Sequence, residues 1–298
     1  MRRCKVGLIS AKRFPAVSFL KSLLEHSDVS SVHVLKEDYI RVSKYVERGL
    51  GKVSVHEELE SLFDEVNSLV VVSTDRKDRA CALQALERNI PVLIDGPIAD
   101  DMNGLKKAIG SADNLYAVNV LLYDECFREL VSLARKDTLG EVLSVSVTSR
   151  LKVYDRKSVL DSLYSFLYVL IDLLSKTVEE PIENTVVAAE ASDAGIFTLF
   201  ETSNKRLVSI DVHYCRDRNE IRGIVLGTSG AVVLKWPKRD ILVYSTQYTG
   251  RIYYGEEFSM IVLDKFLRGL LEEARIDSES LEYLHEILFG LRKVTKGK

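Results

Sequence analysis

Residues 69–97 run LVVVSTDRKDRACALQALERNIPVLIDGP: an apolar run, a polar break, a helical stretch and a second apolar run. The first run ends in Ser73-Thr74. Ala82, Leu83, Ala85 and Leu86 then recur at helical spacing before 91–94 turn apolar again, which is a strand–helix–strand unit. Two strands joined by a crossover of that length lie parallel in one sheet, and the layout is that of a nucleotide-binding half-domain. Asp75 or Thr74 is placed to cap the helix, and Asn89 to take the left-handed conformation at its end.

The same rhythm extends on both sides. Residues 5–9, 31–35 and 115–120 read as further strands, and 40–47, 57–63 and 102–109 as helices. Phe19, Leu20, Leu23 and Leu24 mark another helix, with Pro15 near its first turn. Strands alternating with helices in this way predict a doubly wound parallel sheet of Rossmann type over 1–121. After Tyr123 the character changes. A helix at 126–134 leads into strand-like runs at 142–147, 185–189, 196–200, 207–213, 221–226 and 231–234. A long apolar helix at 159–174 interrupts them, and helices near 257–274 and 280–292 close the chain. Runs of strands with few helices predict an α+β domain over 122–298 with an open, mostly antiparallel sheet.

The chain has 298 residues, 46% hydrophobic and 29% charged, enough for two packed domains. A net charge of −3 gives no global attraction to nucleic acid or anionic membrane, so neither partner is expected. There is no signal-peptide core and no uninterrupted apolar segment of spanning length, so a cytoplasmic location is expected. The four cysteines are scattered without C-x-x-C spacing and no two histidines stand at ligand spacing; reduced thiols and no metal site are expected. Only two glutamines (Gln84 and Gln247) accompany abundant Lys, Arg and Glu, a bias compatible with a heat-adapted source.

The order of elements resembles the glucose–fructose oxidoreductase / inositol dehydrogenase (Gfo/Idh/MocA) family over nearly the whole chain. The local matches are Val70 to Thr74 with the Ala-rich helix after it, and Pro91 to Pro97. Leu139-Gly140-Glu141-Val142 and RGIVLGTSGAVV, from Arg222 to Val233, are the others. The resemblance implies an NAD(H)- or NADP(H)-dependent oxidoreductase of sugars, polyols and related hydroxy compounds. It also implies a homo-oligomer formed through the outer face of the second-domain sheet.

The sequence departs from the family pattern at several positions. The G-x-G-x-x-G/A window, whose small residues let the backbone approach the pyrophosphate, reads Ser10-Ala11-Lys12-Arg13-Phe14-Pro15. Either Lys12 or Arg13 supplies charge there in place of backbone amides, or the dinucleotide is not bound. The ribose-reading position is Lys36 instead of an acid, which favours NADP over NAD if either binds. The family's Glu-Lys-Pro turn reads Asp95-Gly96-Pro97, and glycine has no side chain to hold or move a proton. The family's Asp-x-x-x-His pair falls on Ser165 and Val169, aligned through Asp172. Thr74, Asp95, Gly96 and Pro97 thus line the expected cofactor site with Ser10, Lys12, Arg13 and Lys36.

Substitute acid–base groups are few. Asp161, Tyr164 and Tyr168 share one helix face, so a tyrosine could donate a proton with Asp161 beside it; both tyrosines packing in the core is the other reading. His213 is the one histidine placed for that role, an interface histidine being its alternative; His26, His33, His56 and His285 are expected far from the crevice. Lys12, Arg13, Lys36, Arg76, Lys77 and Arg79 all fall just past the carboxyl ends of strands, where six cations, partly offset by Asp38, Asp75 and Asp78, would focus a positive field on a phosphate-bearing small molecule. Two functions follow: a ligand-binding or regulatory homologue without hydride-transfer machinery, or an active NADP-dependent oxidoreductase using Tyr168, Tyr164 or His213.

Overall fold

The computed structural model describes residues 4–9, 16–46, 50–72, 75–119, 123–135, 138–152, 186–192, 195–201, 205–215, 220–246, 249–253 and 258–268, with 281, 282, 285, 286 and 289. The chain divides into two compact units, 1–120 with 257–289 and 121–256 with 290–298.

The first unit holds a six-stranded, wholly parallel sheet. Its strands are β1 (Cys4–Ile9), β2 (Val29–Leu35), β3 (Val53–His56), β4 (Ser68–Val72), β5 (Val92–Asp95) and β6 (Leu115–Val118), in the order β3-β2-β1-β4-β5-β6. That is the dinucleotide-fold order, with the chain reversing direction of travel between β1 and β4. Helices α1 (Ala16–Glu25), α2 (Lys36–Val46), α3 (Leu59–Glu65), α4 (Arg76–Glu87) and α5 (Met102–Gly110) connect the strands. Every residue of β4 and β5 is buried, as central strands covered on both faces require. The capping expectations at α4 resolve to Asp75, which accepts from the Lys77 and Asp78 backbone N–H groups; Asn89 has φ 58°. Strand β3 was not anticipated, because four residues give too short an alternation to register.

The second domain was expected to run to the C-terminus, but the chain returns to the first unit after residue 256. There α7 (Phe258–Leu267) packs on α1. Val262, Leu263 and Phe266 are buried, Phe266 meets Tyr116 edge-on at 5.2 Å, and Asp264 lies 3.4 Å from His26 Nε2. The return gives the outer side of α1 the apolar cover its own strand layer does not provide.

The second unit is an eight-stranded sheet. Its strands are β7 (Val142–Lys152), β8 (Val186–Ser192), β9 (Gly195–Glu201), β10 (Leu207–Cys215), β11 (Glu220–Gly227), β12 (Gly230–Trp236), β13 (Asp240–Ser245) and β14 (Thr249–Tyr253), in the order β14-β13-β12-β11-β7-β10-β9-β8. Among the described residues only β7 and β10 pair in parallel. Burial alternates along β11 from Ile221 to Gly227, so one face is covered and one open. Helix α6 (Glu125–Arg135) covers part of that face, against β11, β12 and β13. β13 and β14 extend the sheet beyond the expected strands. The expected helix at 159–174 lies outside the described residues.

Two segments that carry the family resemblance form one joint. Ser229 and Thr228 donate backbone N–H bonds to the Leu139 and Glu141 carbonyls at 2.9 Å, and Glu141 N–H donates to Thr228 Oγ1 at 3.0 Å. Gly140 has φ 66°, and a Cβ there would collide with the Thr228 hydroxyl.

Candidate ligand-binding site

The carboxyl ends of β1, β2, β4 and β5 are the crevice where an open parallel sheet binds ligands. Of the residues expected there, Ser10, Lys12, Arg13 and Thr74 lie outside the described residues, as do Asp161, Tyr164, Tyr168, Ser165 and Val169. Lys36, Asp95, Gly96 and Pro97 are described.

The turn after β5 is held from several sides. Asp95 ends the strand at 6% exposure, and Gly96, Pro97, Ile98 and Ala99 are all buried. Gly96 has φ 113°, a conformation that only glycine enters without strain. Past the turn, Asp100 Oδ1 accepts from Arg79 Nε at 3.0 Å and from Arg79 Nη2 at 2.6 Å. Asp101 then caps α5 through Gly104 N–H at 2.8 Å. The Ile98 N–H donates to His285 Nε2 at 3.2 Å, and His285 Nδ1 lies 2.8 Å from the Leu281 carbonyl oxygen. A carbonyl only accepts and an amide N–H only donates, so the ring is the neutral Nδ1–H tautomer. His285, expected far from the crevice, therefore reaches the turn. No local pattern could signal it, since the contact spans 187 positions.

Among the described residues, most of the cations stand beside acids. Lys36 Nζ is 2.7 Å from Glu57 Oε1. Arg79 is 2.6 Å and Arg76 3.7 Å from Asp100. The α4 N-terminus, whose N–H groups would suit a phosphate, is filled by its own acids: Asp75 caps it, and Asp78 Oδ2 accepts the Asp75 N–H at 3.0 Å. Asp38 and Asp78 are both buried. Burial, followed by the carboxylates of Asp78, Asp38, Asp75 and Glu37, pushes the Cys81 thiol up to about 11. Among the described residues Lys36, Arg76, Lys77 and Arg79 stand with Glu37, Asp38, Glu57, Asp75, Asp78 and Asp100, so Glu37, Glu57 and Asp100 add to the offset expected from Asp38, Asp75 and Asp78. The helix spacing that brings the cations to the edge brings acids with them, and neighbouring opposite charges neutralise one another.

His213 lies on the open face of the second sheet. Val208, Ile210 and Val212 of its strand are buried on the covered face, while His213 pairs in register with Arg150, and Arg150 with Glu220. Its Nε2 is 2.8 Å from Asp211 Oδ2, a partner two residues away on the same face. Among the described residues, no group of three or more His, Cys, Asp or Glu side chains is arranged to hold a metal ion, and no helix is long and apolar enough to cross a membrane.

Solved structures share this architecture across almost their full length. KijD10, a 3-ketoreductase from Actinomadura kijaniata with TDP-benzene and NADP bound, matches with a TM-score of 0.77 at 14% identity, over 97% of this chain and 96% of that one. The UDP-N-acetylglucosamine 3-dehydrogenase GnnA from Acidithiobacillus ferrooxidans matches at 0.71 and 14% identity, over 98% and 97%. GenD2 from gentamicin A biosynthesis, in complex with NAD, matches at 0.71 and 18% identity, over 100% and 96%. The chain shares the two-domain fold of these proteins. No family model and no curated protein matches the sequence. Its likeness is thus one of architecture, and its chemistry has to be argued from its own residues.

Proposed function

We propose that this protein is a diverged member of the Gfo/Idh/MocA family that keeps a ligand-binding frame and lacks the hydride-transfer acid–base pair. It acts as a ligand-binding or regulatory homologue. The observation that carries this reading is Gly96. It stands where the family turn holds lysine, and its φ of 113° fits the turn to glycine rather than leaving a vacancy for a longer side chain. Val169, at the place of the family histidine, supports it from the sequence.

The ligand in this reading is a phosphate-bearing small molecule whose phosphate Lys12 and Arg13 would bind, with NADP preferred to NAD if a dinucleotide enters. A 2′-phosphate at Lys36 has to compete with Glu57 at 2.7 Å, so the preference is modest. The protein works in the cytoplasm, from a heat-adapted source, as a homo-oligomer joined through the open face of the second sheet.

Thermal-shift titration with NADPH and NADH, paired with a turnover screen on sugars and polyols, tests the reading, because a ligand of the native state raises the midpoint. The expected result is no turnover with either cofactor. NADPH-dependent turnover abolished by Tyr168→Phe overturns it and installs the substitute-tyrosine oxidoreductase in its place.

A further inference from the structure

Two histidines on neighbouring strands of the first sheet form a hydrogen-bonded line that the ligand site does not use. His33 is on β2 and His56 on the edge strand β3. His33 Nδ1 is 2.9 Å from His56 Nε2, and the ring centroids are 5.1 Å apart. Those two distances place the rings end to end, nitrogen facing nitrogen. His33 Nε2 is 2.8 Å from Ser31 Oγ, and His56 Nδ1 is 3.2 Å from Ser61 Oγ.

The direction of every proton in this line follows from its far end. Ser61 Oγ–H donates to the Glu58 carbonyl at 2.8 Å, so its oxygen accepts from His56 Nδ1–H. His56 Nε2 is then bare and accepts from His33 Nδ1–H. His33 Nε2 is bare in turn and accepts from the Ser31 hydroxyl. Both rings are neutral Nδ1–H tautomers. One added proton is tolerated at His33 Nε2, because the Ser31 hydroxyl can turn from donor to acceptor. A second proton has only His56 Nε2 to go to, and there it sets N–H against N–H.

We propose that His33 and His56 form a proton-operated latch on β3: the neutral pair holds the edge strand to the sheet, and double protonation releases it. Among the described residues β3 pairs with β2 alone in the sheet, α2 and α3 being its other contacts, so its outer edge carries no ladder of hydrogen bonds. The charged groups that reach His33 are Lys5 of β1 and Glu65 of α3, which pair with each other at 3.0 Å and largely cancel. His33 is 4% exposed; burial first, then the neighbouring His56, holds its imidazole below the ordinary 6.5. A lowered folded value means the unfolded chain binds the proton first, so the stabilisation is complete above 6.5 and falls away as pH drops below it. Leu35 and His56 are register partners, and the next residues are Lys36 and Glu57, so release also loosens that ion pair at the crevice. The latch operates whether or not a ligand occupies the crevice.

Nitrogen-15 spectra of the histidine rings in the whole protein at about pH 8 read the tautomers directly. Both His33 and His56 are expected as Nδ1–H, and finding Nε2–H on either overturns the proposal. Hydrogen exchange then reads the release. Between about pH 7.5 and about pH 5, and after correction for intrinsic exchange, residues 53–56 should lose protection by about tenfold or more while residues 68–72 keep theirs. His56→Gln should remove the pH dependence at 53–56. Unchanged protection in the native protein, or equal pH dependence in the variant, sinks it.

Discussion

His285 accepts the backbone N–H of Ile98 at 3.2 Å across 187 positions of sequence, and the ring is fully buried. The contact joins the segment at 281–289 to the Asp95-Gly96-Pro97 turn. His285→Phe keeps bulk and removes the acceptor, leaving a buried N–H unsatisfied. The expected loss is about 1–3 kcal/mol, read as a lower denaturant midpoint with unchanged slope. A variant as stable as the native chain would show that the bond contributes nothing beyond packing.

Gly96 sets a second expectation. On the proposed reading, Gly96→Lys should not bring oxidoreductase turnover, because a side chain at φ 113° strains the backbone by about 1–3 kcal/mol. Gly96→Ala should show the same loss of stability, since the strain belongs to the Cβ and not to the charge. Oxidoreductase turnover gained by the lysine variant would contradict this and show that the turn can relax.

The acids of the crevice are measurable through Cys81. Its thiol is pushed up to about 11 by burial and by Asp78, Asp38, Asp75 and Glu37 in that order, so it should resist alkylation near neutral pH. Asp78→Asn removes one of those charges, and alkylation of Cys81 should then quicken several-fold. Cys126, pushed up to about 12 by its own burial and Asp124, serves as the unmoved control. The sign of the linkage is also fixed. The unfolded thiol ionises first, so stability falls as pH climbs from 9.0 toward about 11. Equal alkylation rates with and without Asp78 would place that carboxylate elsewhere.

The elements legible in the sequence were those with long periodic patterns. The apolar runs of β4 and β5, the Ala-rich α4 with Asp75 and Asn89 at its ends, and the alternation of β11 all announce themselves over several residues. β3 did not, having four residues and only Val53 and Val55 as apolar markers. The return of α7 to α1 was invisible for another reason: an apolar helix face states that it needs cover, never which layer supplies it. At the site, the turn at Gly96 was legible because Asp95-Gly96-Pro97 follows an apolar strand directly in sequence. The pairing of Lys36 with Glu57 and of Arg79 with Asp100 was not, because spacings of 21 residues carry no local signal.

The open face of the second sheet gives the last prediction. Register places Leu207, Ser144, Leu226, Ala231 and Tyr244 side by side across five strands. Leu207, Leu226 and Tyr244 are 47%, 45% and 49% exposed, and Ile224 lies exposed one row away. The other end of the same face is charged, with Arg150, Arg222, Glu220 and the Asp211–His213 pair. An exposed apolar row, broken here by Ser144 and rimmed by charge, suits an interface, and a specific one buries about 1,200–2,000 Å² in total. Leu226→Arg puts a charge in that patch without disturbing the core, since the side chain is already outside it. Sedimentation should show the native chain as an oligomer and the variant as a folded monomer. A native chain that sediments as a monomer at micromolar concentration would leave the apolar row to another partner and remove self-association from the proposed function.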